Sequence, residues 1–372
     1  MDLSKEELNR YSRHLILEEI GIEGQQKLKA AKVLVIGAGG LGCPILQYLA
    51  AAGVGKIGVI DMDVVEESNL QRQILYGVQD LGKNKANIAK ERLMLLNPLI
   101  NVEAYPFELN TSNALQLFKT YDLIIDGSDN FTTRYIVNDA SVIVGKPLVY
   151  GSILKFEGQV SVFNYKNGPS YRCVFPEPPK PGEVPNCSEV GVLGVLTGII
   201  GSLQANEALK IILGIGTSLS GKLLVYNALN CKNLTLNIEP DPILIQKTKE
   251  LSSSFEQTDY ASFCNFPTDV SESIKEITSD ELLNNYNNYQ LLDVREIWEQ
   301  PRLKGQNIII IPLPRLLSCT DQIPKDQPIV VICAKGIRSK IAIEQLQNQL
   351  GYNNLKNLTG GIKSLKTRTP NM

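Results

Sequence analysis

Val33-Leu34-Val35-Ile36-Gly37-Ala38-Gly39-Gly40-Leu41-Gly42 is the stretch that decides the fold. An apolar run of strand length enters a glycine-rich turn, and an Ala- and Leu-containing helical segment, 43–52, follows. Glycines let the chain turn tightly and let a phosphate approach the helix N-terminus, where unpaired amides and the helix dipole favour negative charge. Asp61 closes the next apolar run about 20 residues on, where a carboxylate can accept a hydrogen bond from a ribose hydroxyl. Strand, loop, helix and acid in this order are a Rossmann fingerprint. By spacing alone its commonest owner is a dehydrogenase, and the blander alternative is that the glycines serve only helix–sheet packing.

Outward from that turn, apolar runs alternate with helix-length periodic segments, the pattern of a parallel sheet covered by helices. They predict strands over 32–36, 56–60, 101–105, 123–126 and 147–150, then 158–163 continuing into a region of hairpin character. The longest apolar stretch, 191–213, is interrupted by Gln204, Asn206, Glu207 and Lys210, so it predicts a buried helix and no membrane span. After Leu236 the texture changes: 239–273 holds Pro240, Pro242 and Ser252-Ser253-Ser254 with little periodicity, and a linker is expected over 241–273. A second α/β pattern starts near Ile274, with strands over 289–293, 308–311 and 329–333 and a helix over 339–350. The expected organisation is α/β throughout: a Rossmann-like domain over 1–240 and a smaller α/β domain over 274–372, each long enough to bury its own core.

A chain of 372 residues with 43% hydrophobic and 20% charged side chains has the composition of an ordered globular protein. With 37 basic and 39 acidic residues the formal charge is -2, so no broad cationic surface is available to hold nucleic acid by counterion release. The charged start, MDLSKEELNR, and an odd count of 7 scattered cysteines point to a reducing compartment, the cytoplasm or a plastid stroma for an organelle-encoded chain. His14 is the single histidine, which excludes His-based triads and His-rich metal sites. The chemistry falls to Asp, Arg, Lys and Cys.

The company kept by the glycine loop moves the reading away from a dehydrogenase. Ser68-Asn69-Leu70-Gln71-Arg72-Gln73, Gly82-Lys83-Asn84-Lys85 and Asp126-Gly127-Ser128-Asp129-Asn130 follow in order. Arg10-Tyr11-Ser12-Arg13-His14 precedes them, and Asn186-Cys187-Ser188-Glu189 and Gly201-Ser202-Leu203-Gln204-Ala205 come later. Over residues 8–236 this series resembles the E1-like adenylyltransferases that activate ubiquitin-like sulfur carriers, in particular the molybdopterin-synthase adenylyltransferases. The resemblance implies ATP and magnesium. It implies that Arg13, Arg72 and Lys85 are cations for the phosphates and that Asp129 is the magnesium ligand. Asp61 and Asn69 would fix the ribose and neighbouring phosphate, beside the loop glycines Gly37, Gly39, Gly40 and Gly42 and Asn130. It also implies a homodimer, because the counterpart of Arg13 reaches across a subunit interface in that family. A carboxylate attacking the α-phosphate is anion meeting anion, so a site rich in cations makes physical sense. Asp126, two residues before Ser128, has the simpler reading of a cap at the strand end.

Near the C-terminus the strand over 329–332 delivers Cys333 into Ala334-Lys335-Gly336-Ile337-Arg338-Ser339 ahead of a helix. Successive amides and a helix N-terminus stabilise a thiolate or persulfide, and Lys335 and Arg338 are expected to add positive charge. With Leu291-Leu292-Asp293-Val294-Arg295-Glu296 and Gly360-Gly361-Ile362, this loop resembles that of rhodanese domains over 275–365, which carry sulfur on such a cysteine. Two departures stand out: residues 302–306 lack the histidine usual before the next strand, and Leu365 stands where an aromatic is common.

Cys187, behind a Pro- and Gly-rich approach over 176–185, is the second reactive candidate; Cys43, Cys231, Cys264 and Cys319 read as inert. Many relatives hold zinc with two Cys-x-x-Cys pairs. Here the first pair would be Ser170 with Cys173, and 241–244 contains no cysteine, so no zinc site is expected. The expected partners are a carrier protein ending in Gly-Gly and an upstream sulfur donor such as a cysteine desulfurase, with neither nucleic acid nor membrane. Two rivals stay open: an NAD-binding dehydrogenase, with no use for Lys85 or Asp129, and a non-catalytic docking platform that would tolerate loss of Arg72.

Overall fold

Residues 2–179, 191–264, 274–303, 305 and 307–366 are described by the computed structural model. The chain divides into two compact units, Met1–Asn265 and Phe266–Met372.

The first unit is built on an eight-stranded sheet. Its strands are β1 (Lys32–Ile36), β2 (Lys56–Ile60), β3 (Asn101–Tyr105), β4 (Leu123–Asp126), β5 (Leu148–Leu154), β6 (Glu157–Phe163), β7 (Lys222–Asn227) and β8 (Lys232–Asn237). They lie in the order β3-β2-β1-β4-β5-β6-β7-β8. The pairs among β1 to β5 are parallel and the remaining three pairs are antiparallel. The run 33–36 is apolar without alternation because both faces of β1 are covered. Val33 and Val35 enter one core with Ile45, Leu46 and Leu49 of helix Gly42–Ala52 and Leu196 and Ile200 of helix Gly194–Leu213. Leu34 and Ile36 enter a second core with Phe118 and with Tyr135, Val137 and Ala140 of helix Phe131–Val144.

The long apolar segment is the expected buried helix, and two of its polar residues fasten neighbouring backbone. Gln204 Nε2 donates to the Asp126 carbonyl at 2.7 Å, and Glu207 accepts from the Leu219 amide at 2.9 Å. Among the described residues no helix is long and apolar enough to cross a membrane.

The segment from 241 to 264 differs from the linker expectation. Asp241 caps helix Pro242–Glu250 by accepting from the Ile243 and Leu244 amides at 2.9 and 3.1 Å. A short helix, Tyr260–Cys264, follows, and Phe255 and Tyr260 are buried in the second core. A few aromatic anchors in an aperiodic stretch hold it to the first unit, a signal that periodicity does not carry. Cys173 Sγ accepts from the amides of Ser170 and Asp241, both at 3.3 Å. The two stretches that lack the cysteine pairs of a zinc site thus meet through a sulfur and two backbone amides, and among the described residues no group of three or more metal-ligating side chains gathers.

The second unit is an all-parallel five-stranded sheet of β9 (Lys275–Ile277), β10 (Gln290–Asp293), β11 (Ile308–Ile310), β12 (Ile329–Ile332) and β13 (Leu355–Leu358), in the order β11-β10-β12-β13-β9. Every residue of β12 is fully buried. Helix Ile337–Leu350 packs against this sheet through Ala342, Ile343 and Leu346. β9 and β13 fall outside the expected strands, being short runs studded with Lys, Glu and Asn.

Candidate functional site

Register assembles the first site. Ile36 of β1 is paired with Ile60 of β2 and with Asp126 of β4, so Gly37, Asp61 and Gly127 leave the sheet side by side. This is the carboxyl end of the sheet, where the strand order turns back between β1 and β4, the place at which open α/β sheets bind ligands. A cavity of about 210 Å³ opens there. Its walls include the loop glycines Gly37, Gly39 and Gly40, the carboxylates Asp61 and Asp129, the cations Arg72 and Lys85, and Asn130.

The loop is held by a small network. Gly37 adopts φ +86°, and its amide donates to the Ile60 carbonyl at 2.9 Å. A Cβ on Gly42 would collide with the Gly37 carbonyl oxygen, so that position admits only glycine where the helix starts under the turn. The Ala38 amide donates to Asp61 Oδ2 at 2.8 Å, and the Asp63 amide donates to Asp61 Oδ1 at 2.8 Å. Burial raises the Asp61 carboxyl above its ordinary value, although Lys85 and the two amides pull the other way. From beneath, the buried Tyr76 hydroxyl donates to the Ala38 carbonyl at 2.7 Å and lies 3.3 Å from the Lys85 carbonyl. Tyr76 therefore ties the glycine loop to the helix that starts at Lys85, and no motif in the sequence marks it.

Lys85 opens helix Lys85–Leu96, whose cap is the Asn84 side chain accepting from the Asn87 amide at 3.1 Å. Its side chain is 7% exposed, and Nζ is 3.0 Å from Oδ2 of the exposed Asp63. Arg72 Nη1 donates to the Ser68 carbonyl at 3.0 Å, and the Arg72 carbonyl accepts from Thr197 Oγ1 at 3.2 Å. Asp126 behaves as the simpler reading predicts: it is buried, its carboxylate accepts from the Ser128 amide at 2.9 Å, and desolvation pushes its pKa up. Asp129 is exposed on the cavity wall, and the Asn130 side chain caps helix Phe131–Val144 by accepting from the Thr133 amide at 2.8 Å. Arg134, one turn along that helix, returns to the cavity and donates to Ser152 Oγ at 3.1 Å. One buried oxygen in the wall, Gln73 Oε1, has no hydrogen-bond partner among the described residues. Such a group costs roughly 1–3 kcal/mol unless a ligand satisfies it. Glycine loop, carboxylate, cations and unsatisfied polar wall together fit a nucleotide.

Two expected residues stand elsewhere. Asn69 is buried in the turn 66–69, its Oδ1 accepting from the Glu66 amide at 3.3 Å, and it is not among the residues lining the cavity. Arg13 is exposed on helix Ser12–Leu15, also outside the cavity wall. Cys187 lies outside the described residues. Burial pushes the Cys43 thiol up to about 12, which keeps it protonated.

The second unit presents Cys333 at the end of β12. Its sulfur accepts from the Gly336 amide at 3.0 Å and lies 3.3 Å from Ser339 Oγ, with the residue only 1% exposed. Gly336 takes φ +92° to start the helix. The Cys333 carbonyl accepts from the Ile362 amide at 2.8 Å, and a Cβ on Gly361 would come within 2.5 Å of that oxygen. The Gly360-Gly361 pair thus backs the cysteine loop closely. The expected contribution of Arg338 is altered: its guanidinium forms a bidentate pair with Glu299, at 2.6 and 2.7 Å, so its charge is matched locally. Despite the cost of burial, Arg338 holds the Glu299 carboxyl below its usual range. Arg302 reaches Asp293 at 2.9 Å and also donates to the Glu296 carbonyl, bracing the neighbouring loop. Lys335 remains exposed.

Comparison with known proteins bears on both units. The ThiF family matches residues 11–242, and the rhodanese-like domain matches residues 278–368. A probable adenylyltransferase/sulfurtransferase, MoeZ, from Mycobacterium tuberculosis is 46% identical over 373 residues, covering 97% of this chain and 93% of that protein. A sulfur carrier protein adenylyltransferase from Thermus thermophilus is 54% identical over 269 residues, covering 71% of this chain and 99% of its own length. Among solved structures, E. coli MccB with ATP is similar with a TM-score of 0.55 and 26% identity, over 64% of this chain and 74% of that one. The chain belongs to the ThiF family of adenylyltransferases and carries a rhodanese-like sulfurtransferase domain behind its nucleotide-type fold.

Proposed function

We propose that the chain adenylates the C-terminal glycine of a ubiquitin-like sulfur-carrier protein and passes sulfur to it by way of Cys333, giving a thiocarboxylate. The observation that carries this is a single cavity uniting the glycine loop, Asp61, Arg72, Lys85 and Asp129. The name of the Thermus relative supports the carrier class, that of the Mycobacterium relative supports the pairing of activities, and MccB with ATP supports the nucleotide.

In this reading a carrier carboxylate oxygen attacks the α-phosphorus of ATP, the bond to the bridging oxygen breaks, and pyrophosphate leaves. Lys85 exchanges Asp63 for phosphate oxygens, and Arg72 faces the same charge. Asp61 accepts from the ribose, with Asn69 and Asn130 shaping the turns around it. Arg13 of a second subunit completes the cation set in a homodimer. Asp129 with phosphate oxygens would hold a magnesium ion, which accepts a single carboxylate, keeps several waters and offsets charge on the phosphates. The terminal sulfur of a Cys333 persulfide then attacks the acyl carbon and AMP leaves. Cys187 or another thiol then attacks Cys333 Sγ, releasing the thiocarboxylate and leaving a disulfide for an external thiol to reduce. Splitting the reaction this way replaces one hard step with easier ones. The persulfide comes from a donor such as a cysteine desulfurase. Motif similarity favours the molybdopterin-synthase small subunit as carrier, hence molybdenum-cofactor synthesis, with thiamin or tRNA-thiolation carriers as the alternative.

The test is ATP–pyrophosphate exchange that depends on an added carrier ending in Gly-Gly; absence of exchange with carriers from all three pathways would sink the adenylation. Intact-mass analysis of the carrier, with Cys333→Ala and Cys187→Ala alongside, tests the sulfur half. A one-sulfur gain that survives both substitutions would refute it.

A further inference from the structure

The motif Gly201-Ser202-Leu203-Gln204-Ala205 has no part in the chemistry proposed above, yet it lies on helix Gly194–Leu213, which packs against three pieces of the nucleotide cavity. Thr197, Gly201 and Gln204, spaced three and four residues apart, share one face of that helix. The Thr197 side chain lines the cavity and stands against Gly40, where a Cβ would come within 2.9 Å of its γ-methyl. At Gly201 a Cβ would come within 2.6 Å of the Leu41 carbonyl oxygen, so only glycine lets the helix lie so close to the glycine loop. Gln204 is fully buried, and its Nε2 donates to the Asp126 carbonyl at 2.7 Å. Its carboxamide occupies the space that a side chain on Gly151 of β5 would need.

Asp126 is the last residue of β4, and the turn that follows it carries Ser128, Asp129 and Asn130 into the cavity wall. The Gly127 amide donates to the Ile36 carbonyl at 2.8 Å, and the Gly127 carbonyl oxygen lies where a Cβ on Gly37 would come within 2.9 Å of it. The turn therefore packs directly on the glycine loop, and its position decides where Asp129 stands. Arg134 Nη2 also reaches the turn, at the Ser128 carbonyl, over a longer 3.3 Å. Gln204 makes its contact at a disadvantage, since its buried Oε1 has no hydrogen-bond partner among the described residues. An unsatisfied buried acceptor is costly, and a methionine would fill nearly the same space without one. What the amide offers and an apolar chain does not is an N–H that pins a strand-end carbonyl.

We propose that Gln204 is a positioning residue for the nucleotide reaction: by holding the Asp126 carbonyl it sets the turn 126–130, and with it Asp129, against the glycine loop. The meaning for the reaction rests on reading the cavity as the ATP site; the fixing of the turn does not. Because Arg134 holds the same turn at a second carbonyl, loss of Gln204 loosens the turn without releasing it.

The experiment compares Gln204→Met with wild type in the full-length protein by two measurements. Amide hydrogen exchange in peptides covering 126–130 is expected to speed up about fivefold, the effect of losing one hydrogen bond, while peptides from β2 stay unchanged. In carrier-dependent ATP–pyrophosphate exchange the KM for ATP is expected to rise by about the same factor, with kcat changed less. In an Asp129→Asn background the KM effect should largely disappear, because the two side chains act through one turn. Unchanged amide exchange over 126–130 overturns the proposal. So does faster exchange throughout the sheet with KM unaltered, the mark of a residue that only stabilises the fold. If Gln204→Met does not fold, Gln204→Glu, of the same shape but with an acceptor facing the carbonyl, carries the same decision. Amide exchange needs neither ATP nor carrier, so failure of the nucleotide reading would show separately, as no pyrophosphate exchange in wild type.

Discussion

Two loops in this molecule are built alike and used in opposite ways. Each leaves the end of a buried parallel strand, β1 or β12, turns through a glycine with positive φ, and enters a helix N-terminus. In the first unit the residue after the strand is Gly37, and the loop glycines face a cavity. In the second it is Cys333, and the loop closes on that sulfur, which accepts from the Gly336 amide. Under the proposed function, such a turn serves an external phosphate when its first residue is small and an internal sulfur when that residue supplies one. Cys43 sharpens the lesson. It too sits at a helix N-terminus, yet complete burial outweighs the dipole and keeps its thiol protonated.

The largest effect that separates the two loops is loss of the cations around the first. Arg72→Ala and Lys85→Met are each expected to lower carrier-dependent ATP–pyrophosphate exchange by about 10²–10³-fold, the scale of removing one preorganised charge partner. Alkylation of Cys333 at neutral pH should be unchanged. Exchange at the wild-type rate in either variant would remove that residue from the nucleotide chemistry and favour a docking role.

Next come the glycines. Gly42→Ala sets a methyl against the Gly37 carbonyl and is expected to destabilise the first unit by about 2–3 kcal/mol in urea unfolding. Gly39→Ala meets only Gln73 Nε2, at 3.6 Å, so stability holds while nucleotide binding weakens. Gly361→Ala is the counterpart in the second unit, with φ +61° and the Cys333 carbonyl in the way, and a loss of similar size is expected there. Equal stability of the Gly42 and Gly39 variants would contradict this division between frame and ligand wall.

These glycines also show what a sequence can disclose. β1, β2 and β4 are legible to the residue, because strands covered on both faces must be apolar nearly throughout. β8, β9 and β13 are not, since β8 is exposed along its whole length at a sheet edge and β9 and β13 are too short to show a period. Of the site, Gly37, Asp61, Arg72, Lys85 and Asp129 are legible because they lie in short ordered motifs. Tyr76, Asp63 and Arg134 are not, since each acts through a contact that only the packed sheet creates. Asn69 carries the motif but serves its own turn. The pairing of Arg338 with Glu299 joins residues far apart in the chain, so composition alone overstates the loop's charge.

That pair gives the smallest effect. Its side chains are 16% and 25% exposed, so Glu299→Gln should cost the second unit no more than about 1 kcal/mol at neutral pH, read as faster amide exchange in β12. Because Arg338 lowers the Glu299 pKa in the folded protein, the contribution is present above the unfolded carboxyl value and is lost as pH falls through the folded one. Wild type and variant should therefore converge in acid. The first unit has the opposite sign: burial raises Asp61 and Asp126, so any stability tied to them is lost as pH rises. A Glu299→Gln difference that widened on acidification would mean that Arg338 is not holding that carboxylate, and that its charge belongs to the Cys333 loop after all.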